Sequence, residues 1–152
     1  MADIFDINLE KNRKSILYSY LFYIILFFLY TLAVIFLFHF TQDRTGMDDG
    51  YGYYLMTFFL SPHHFALFFS IILYIPAWAY RKKWLAGLSI PLDFFAALYL
   101  IYAPLALWNS PESLTVAMLI FITLPPLIFA FWLFQIAYQK LKAYFFIKKT
   151  TS

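Results

Sequence analysis

Four long apolar stretches limit what this chain can fold into. They cover residues 15–40, 63–80, 89–108 and 114–138, each close to the ~20 residues that carry an α-helix across hydrocarbon. Inside lipid no water is present to satisfy a backbone N–H or C=O. Segments of this kind therefore close their hydrogen bonds internally, as helices. The composition agrees, at 64% hydrophobic and 12% charged over 152 residues. A soluble domain of this size leaves too much area in water to hide that much apolar surface. The 20 phenylalanines and 13 tyrosines suit rings that settle at the headgroup level. The expected architecture is all-α and polytopic: a single domain, residues 1–152, of four transmembrane helices in one bundle.

The start of the second span is open. "YYLMTFFLS", residues 53–61, is also apolar, so the helix either begins near Tyr54 and kinks at Pro62, or follows a short surface element. The fourth start is better marked. Ser110 can cap, Pro111 suits the first helical turn, and Glu112 favours the positive end of the helix dipole. The apolar run after "MADIFDINLEKNRK" is too long for a signal-peptide core and is expected to stay as the first span.

Orientation follows from the basic residues. Lys11, Arg13 and Lys14 precede span one; Arg81, Lys82 and Lys83 join spans two and three; Lys140, Lys142, Lys148 and Lys149 follow span four. Only Arg44 falls in the opposite loops, beside Asp43, Asp48, Asp49 and Glu112. Positive charge is retained on the cytoplasmic side, so both termini are expected there. The same distribution removes nucleic acid as a partner, because no basic stripe lies on a soluble face. The tail "YQKLKAYFFIKK", from Tyr138 to Lys149, alternates lysines with aromatics and suits an interfacial anchor.

Asp93 is the one carboxylate inside a span. If span three begins at Trp84, Asp93 sits roughly 13 Å into the membrane; if it begins near Ser89, ahead of Pro91, Asp93 lies in the first helical turn. The second placement makes it an interfacial anchor near orphan N–H groups and Arg81–Lys83, and is the one expected. The alternatives are a bond to another helix, or proton and ion handling, which ordinarily needs a second buried ionisable group. Lys140 is read here as part of the tail, so no such group is expected in any span. Ser89, Asp93, Ala96, Ala97, Leu100 and Ala103 share one face, opposite Phe94, Phe95, Tyr99 and Tyr102. Small residues let membrane helices approach closely. Comparable stripes are Thr123, Ala130 and Ala137 in span four, and Ala66, Ser70 and Ala77 in span two.

His39 ends span one, and His63 and His64 open span two. Matching depth on neighbouring helices makes them candidate haem or metal ligands, together with Asp43, Asp48 and Asp49. Their spacing fits no ligand motif, and interfacial histidines also serve water and headgroups, so no cofactor and no metal is expected. Cysteine is absent, which excludes disulfides and thiolate chemistry. No HExxH, GxSxG or P-loop occurs, and Asp48 and Asp49 lie among Gly46, Gly50 and Gly52 as in a solvated turn. The chain is not expected to be an enzyme. With no internal repeat and no central polar site it also lacks the usual transporter signature, although a homo-oligomer could form a pore.

The order of these features resembles the four-helix immunity proteins that protect bacteria against pore-forming colicins. The likeness lies in "KNRK" before span one, a longer loop before span two, "RKK" between spans two and three, Glu112 followed by Ser-Leu-Thr, and the lysine-ended "FFIKK". It covers the whole chain as topology and contains no specific motif, so no residue role is carried over. The resemblance implies a multi-pass protein of the bacterial inner membrane that meets an inserted toxin helix within the bilayer. The competing expectation is an accessory or assembly subunit of a larger membrane complex; a haem- or metal-binding subunit is a third.

Overall fold

The computed structural model describes residues 2–45, 61–108 and 116–145. These form α1 (Ala2–Thr45), α2 (Pro62–Ala79), α3 (Lys83–Trp108) and α4 (Val116–Tyr144), with no strand among the described residues. Each helix is long and apolar enough to cross a membrane. The expected caps of the fourth span, Ser110 to Glu112, and most of the 53–61 segment lie outside the described residues.

α1 is organised by tyrosine. Ile16, Tyr20, Tyr23, Phe27 and Tyr30 are buried and follow one another at spacings of four and three, the rhythm of a helix seam. Leu21, Phe22, Ile25, Phe28, Leu29 and Leu32 lie on the remaining faces and are exposed. The inner face is therefore more polar than the outer, as expected of a helix whose outside meets lipid.

α3 packs extensively against both α2 and α4, whereas the backbone of α1 lies against α4 and further from α2, which it reaches through side chains. The small residues make this closeness possible: Ala66, Ala77, Ala86, Ala96, Ala97, Ala130 and Ala137 are all buried. Ser61 is extended (φ −66°, ψ 141°) and Pro62 opens α2, where the missing N–H costs nothing. α2 then ends in a Schellman turn: the Lys82 N–H donates to the Ala77 carbonyl at 3.1 Å, and Arg81 takes the left-handed conformation at φ 54°.

α1 extends beyond the expected span at both ends, and two further differences from the sequence expectation matter to the site. α3 begins at Lys83 rather than at Ser89. Pro91 does not start the helix; the turn before it is held by burial of Ala86 and Ser89. Asp93 therefore sits ten residues, about 15 Å, into α3 instead of in its first turn. α4 continues past Tyr138 to Tyr144, so Lys140 and Lys142 are helical residues rather than part of a tail.

The proline pair in α4 has its own support. Pro125 and Pro126 carry no N–H, which orphans the carbonyls one turn earlier, at Phe121 and Ile122. The Tyr30 hydroxyl of α1 lies 3.4 Å from each of these two oxygens. Membrane helices tolerate proline where a neighbour re-satisfies the freed group, and Tyr30 is that neighbour.

The start of α1, the end of α2, the start of α3 and the end of α4 meet at one end of the bundle. There the Tyr74 hydroxyl donates to the Arg13 carbonyl at 3.1 Å, and the Arg13 guanidinium lies 4.8 Å from the Tyr144 ring centre. Lys11, Lys14, Arg81, Lys82, Lys83 and Lys142 are exposed near this end, hereafter the basic end.

Candidate functional site

Asp93 is fully buried, and Lys140 beside it is fully buried as well. The Lys140 Nζ lies 2.6 Å from Asp93 Oδ2. This corrects two expectations at once. Asp93 is not an interfacial anchor, and a second ionisable group does lie deep in the bundle. The physical reason is the length of α3 and α4: with α3 starting at Lys83 and α4 running to Tyr144, the two charges come to the same level.

The pair gathers a hydroxyl from every other direction. Tyr20 and Ser70 each donate to Asp93 Oδ1 at 2.6 Å. Lys140 donates to Asp93 Oδ2, to Ser89 Oγ at 2.8 Å, and to the Tyr20 oxygen. Ser89 passes its own hydrogen to the Ala86 carbonyl at 2.8 Å. The inventory closes: the ammonium has three hydrogens and three acceptors, and each hydroxyl gives one hydrogen while taking or sharing another. Ser70 Oγ lies a further 3.1 Å from Nζ and 3.0 Å from the Ser89 carbonyl, as alternatives within the same cluster.

Aromatic rings complete the enclosure. Lys140 Nζ sits 4.8 Å from the centre of the Tyr20 ring and 4.9 Å from that of Tyr74, in reach of the attraction between a cation and a π face. All four helices contribute: Tyr20 from α1, Ser70 and Tyr74 from α2, Ser89 and Asp93 from α3, Lys140 from α4. Two charges brought out of water are tolerated only when each is paired and its remaining hydrogen-bonding capacity is filled. The cluster meets that condition.

The other residues singled out by the sequence fall as follows. Ser89, Ala96, Ala97 and Ala130 are buried at helix contacts, with Ser89 inside the cluster, and Thr123 is half-buried on α4. The side chain of His39 lies outside the described residues. His63 is buried, His64 half-buried, and both present Nδ1 to Ser61 Oγ, at 2.5 and 2.8 Å. Phe27 packs against both imidazoles, its ring centre 5.0 Å from that of His63 and 5.4 Å from that of His64. Among the described residues no three His, Cys, Asp or Glu side chains converge as a metal site would require.

Lys140, Tyr20, Ser70 and Tyr74 are the site residues the sequence reading missed, although Ser70 was placed on a contact face. A signal for Lys140 was present. It stands seven residues after Leu133 and three after Ala137, and so continues the buried stripe of α4. A charge in phase with an apolar stripe points inward even when it follows the last strongly apolar residue. No known protein family, curated protein or solved structure matches this chain.

Proposed function

We propose that this protein is a non-catalytic integral protein of the inner membrane, with both termini in the cytoplasm, that works by lateral helix–helix contact with another membrane-embedded protein. The observation that carries this reading is the position of α1. Its backbone runs along α4 and stands further from α2, which it meets through Arg13, Tyr20 and Phe27 on a single face. Ile25, Phe28, Leu29 and Leu32 are exposed along it. A helix held to its bundle along one side offers the rest of its circumference to a partner, and membrane helices associate through such faces by close packing.

The ion pair supports the reading from inside. Its polar groups bond one another across all four helices, which holds the helices in register. The basic end supports the orientation, since lysines and arginines collect on the cytoplasmic side. The topological likeness to colicin immunity proteins makes an inserted toxin helix the preferred partner.

Two experiments test this. Reporter fusions after Ser152 and after Asp49 should register cytoplasm and outside respectively, and the reverse pattern overturns the orientation. Cells expressing the chain should survive a pore-forming bacteriocin that kills cells without it, with protection lost when Phe28 and Leu32 are both replaced by alanine. Unchanged killing across a panel of pore formers, together with recovery of a fixed set of membrane subunits from native membranes, replaces the toxin by a resident complex as partner. Unchanged killing with the chain recovered alone overturns lateral contact altogether.

A further inference from the structure

Two buried polar atoms lie between the ion pair and the end of the bundle opposite the basic residues, and neither has a hydrogen-bond partner. They are the Tyr23 hydroxyl and His63 Nε2. Tyr23 is 0% exposed and His63 1%. Both rings lie against Phe27, Tyr23 stacked at 5.7 Å and His63 edge-on at 5.0 Å. Tyr23 follows Tyr20 by one turn on the seam of α1, and His63 precedes Ser70 by two turns on the buried face of α2. A buried hydroxyl and a buried imidazole nitrogen are costly to leave unpaired, and a water held between polar groups is the usual remedy.

On its other ring nitrogen His63 is joined through Ser61 to His64. Ser61 Oγ meets the Nδ1 of His63 and also the Nδ1 of His64. When His64 carries a hydrogen on Nδ1 and His63 does not, the hydroxyl between them accepts from the first and gives its own hydrogen to the second. His64 is half-buried and so reaches the edge of the bundle. On the other side of the ion pair, Lys140 lies four residues, about 6 Å, from Tyr144 at the end of α4. The Tyr74 ring faces it there, with Tyr144 packed against Tyr74 and Arg13 over Tyr144, and Tyr20, Ser70 and Ser89 surround it at its own level.

We propose that this column is a proton path through the bundle, formed by His64, Ser61, His63, bridging water, Tyr23, Tyr20, Asp93 and Lys140. A proton taken up by His64 leaves its Nδ1 for Ser61 Oγ as the hydrogen of Ser61 passes to His63 Nδ1. His63 releases the hydrogen of Nε2 to water. Through water and the tyrosine hydroxyls, each giving up its own hydrogen as it takes one, a proton reaches Asp93 Oδ1. The neutral carboxyl no longer holds the ammonium. The Lys140 side chain then flexes toward the basic end, gives one proton to water, and returns as an amine that takes the proton from Asp93. The ion pair is restored, the hydroxyls and imidazoles turn back, and one proton has crossed. This activity is independent of the lateral contact proposed above.

The test uses the purified full chain in vesicles of phosphatidylethanolamine and phosphatidylglycerol, with a pH-sensitive dye trapped inside and a potassium diffusion potential as driving force. Vesicles with the wild-type chain should acidify at least about tenfold faster than protein-free vesicles. Lys140→Arg keeps the charge of the pair but cannot release a proton, and should fall to the protein-free rate. Tyr23→Phe keeps the ring and removes only the unpartnered hydroxyl, and should fall equally. A wild-type rate equal to that of protein-free vesicles overturns the proposal, as does wild-type conduction by either variant. If the larger guanidinium prevents folding, seen as lost helical ellipticity, Tyr23→Phe alone decides.

Discussion

Replacing Lys140 with methionine keeps an unbranched side chain one atom shorter and removes its charge. Asp93 then keeps the two hydroxyl donors, Tyr20 and Ser70, but loses the only cation within bonding distance among the described residues. Removing one partner of a fully buried pair costs about 3–5 kcal/mol, because the survivor remains buried and uncompensated. The figure belongs to this site because both side chains are 0% exposed, so solvent cannot screen the remaining charge. For a chain of this length that corresponds to a fall of roughly 6–20 °C in midpoint, at about 2–4 °C per kcal/mol. The double variant Asp93→Asn with Lys140→Met removes both charges, while the carbonyl of the introduced amide still accepts from Tyr20 and Ser70. It should recover about half or more of the loss, the sign expected when a buried pair is replaced as a unit. Unfolding in detergent, followed by ellipticity over a denaturant titration, measures both single variants and the double. Single variants within about 1 kcal/mol of wild type would show that the two charges do not meet in a buried site.

Three further outcomes follow from particular contacts. Tyr30→Phe should destabilise the bundle by about 1 kcal/mol, since it removes the donor shared by the carbonyls of Phe121 and Ile122. That loss should largely vanish when Pro125 and Pro126 are replaced by alanine, whose N–H groups serve those carbonyls directly. Ala97→Leu should cost about 1–3 kcal/mol by forcing α3 away from its neighbours, whereas Leu98→Ala, on the exposed face of the same helix, should stay within about 0.5 kcal/mol. Arg81→Gly should stabilise the α2–α3 turn by about 0.5–1 kcal/mol, read as a raised midpoint, because the left-handed backbone there strains any residue but glycine.

The four helices were legible from length and hydropathy alone, because lipid leaves an apolar stretch of that size few other conformations. The faces were legible too. The stripe of Ser89, Asp93, Ala96 and Ala97 is the stripe that α3 buries. The ion-pair cluster was not, for three physical reasons. Pro91 reads locally as a helix start, yet its absent N–H is tolerated inside α3 once the preceding turn is packed. Lys140 reads as a flanking charge because nothing in a window of hydropathy distinguishes a lysine that caps a span from one paired inside it. Tyr20, Ser70 and Tyr74 are common membrane residues, and only their common level in the folded bundle makes them partners of the same ammonium. The proline pair in α4 shows the same limit. Its breakers were visible in the sequence, whereas the Tyr30 hydroxyl that supports them stands 91 residues away in the chain.

If the working surface of this protein is the open side of α1, site-specific photocross-linking in living cells tests it most directly. A photoreactive residue at Phe28 or Leu32, both exposed, should capture one defined membrane-embedded partner, the challenging toxin when toxin is added. The same residue at Leu98 or Phe131, exposed on α3 and α4, should not. Equal capture from all four positions, or none from α1, would contradict that placement.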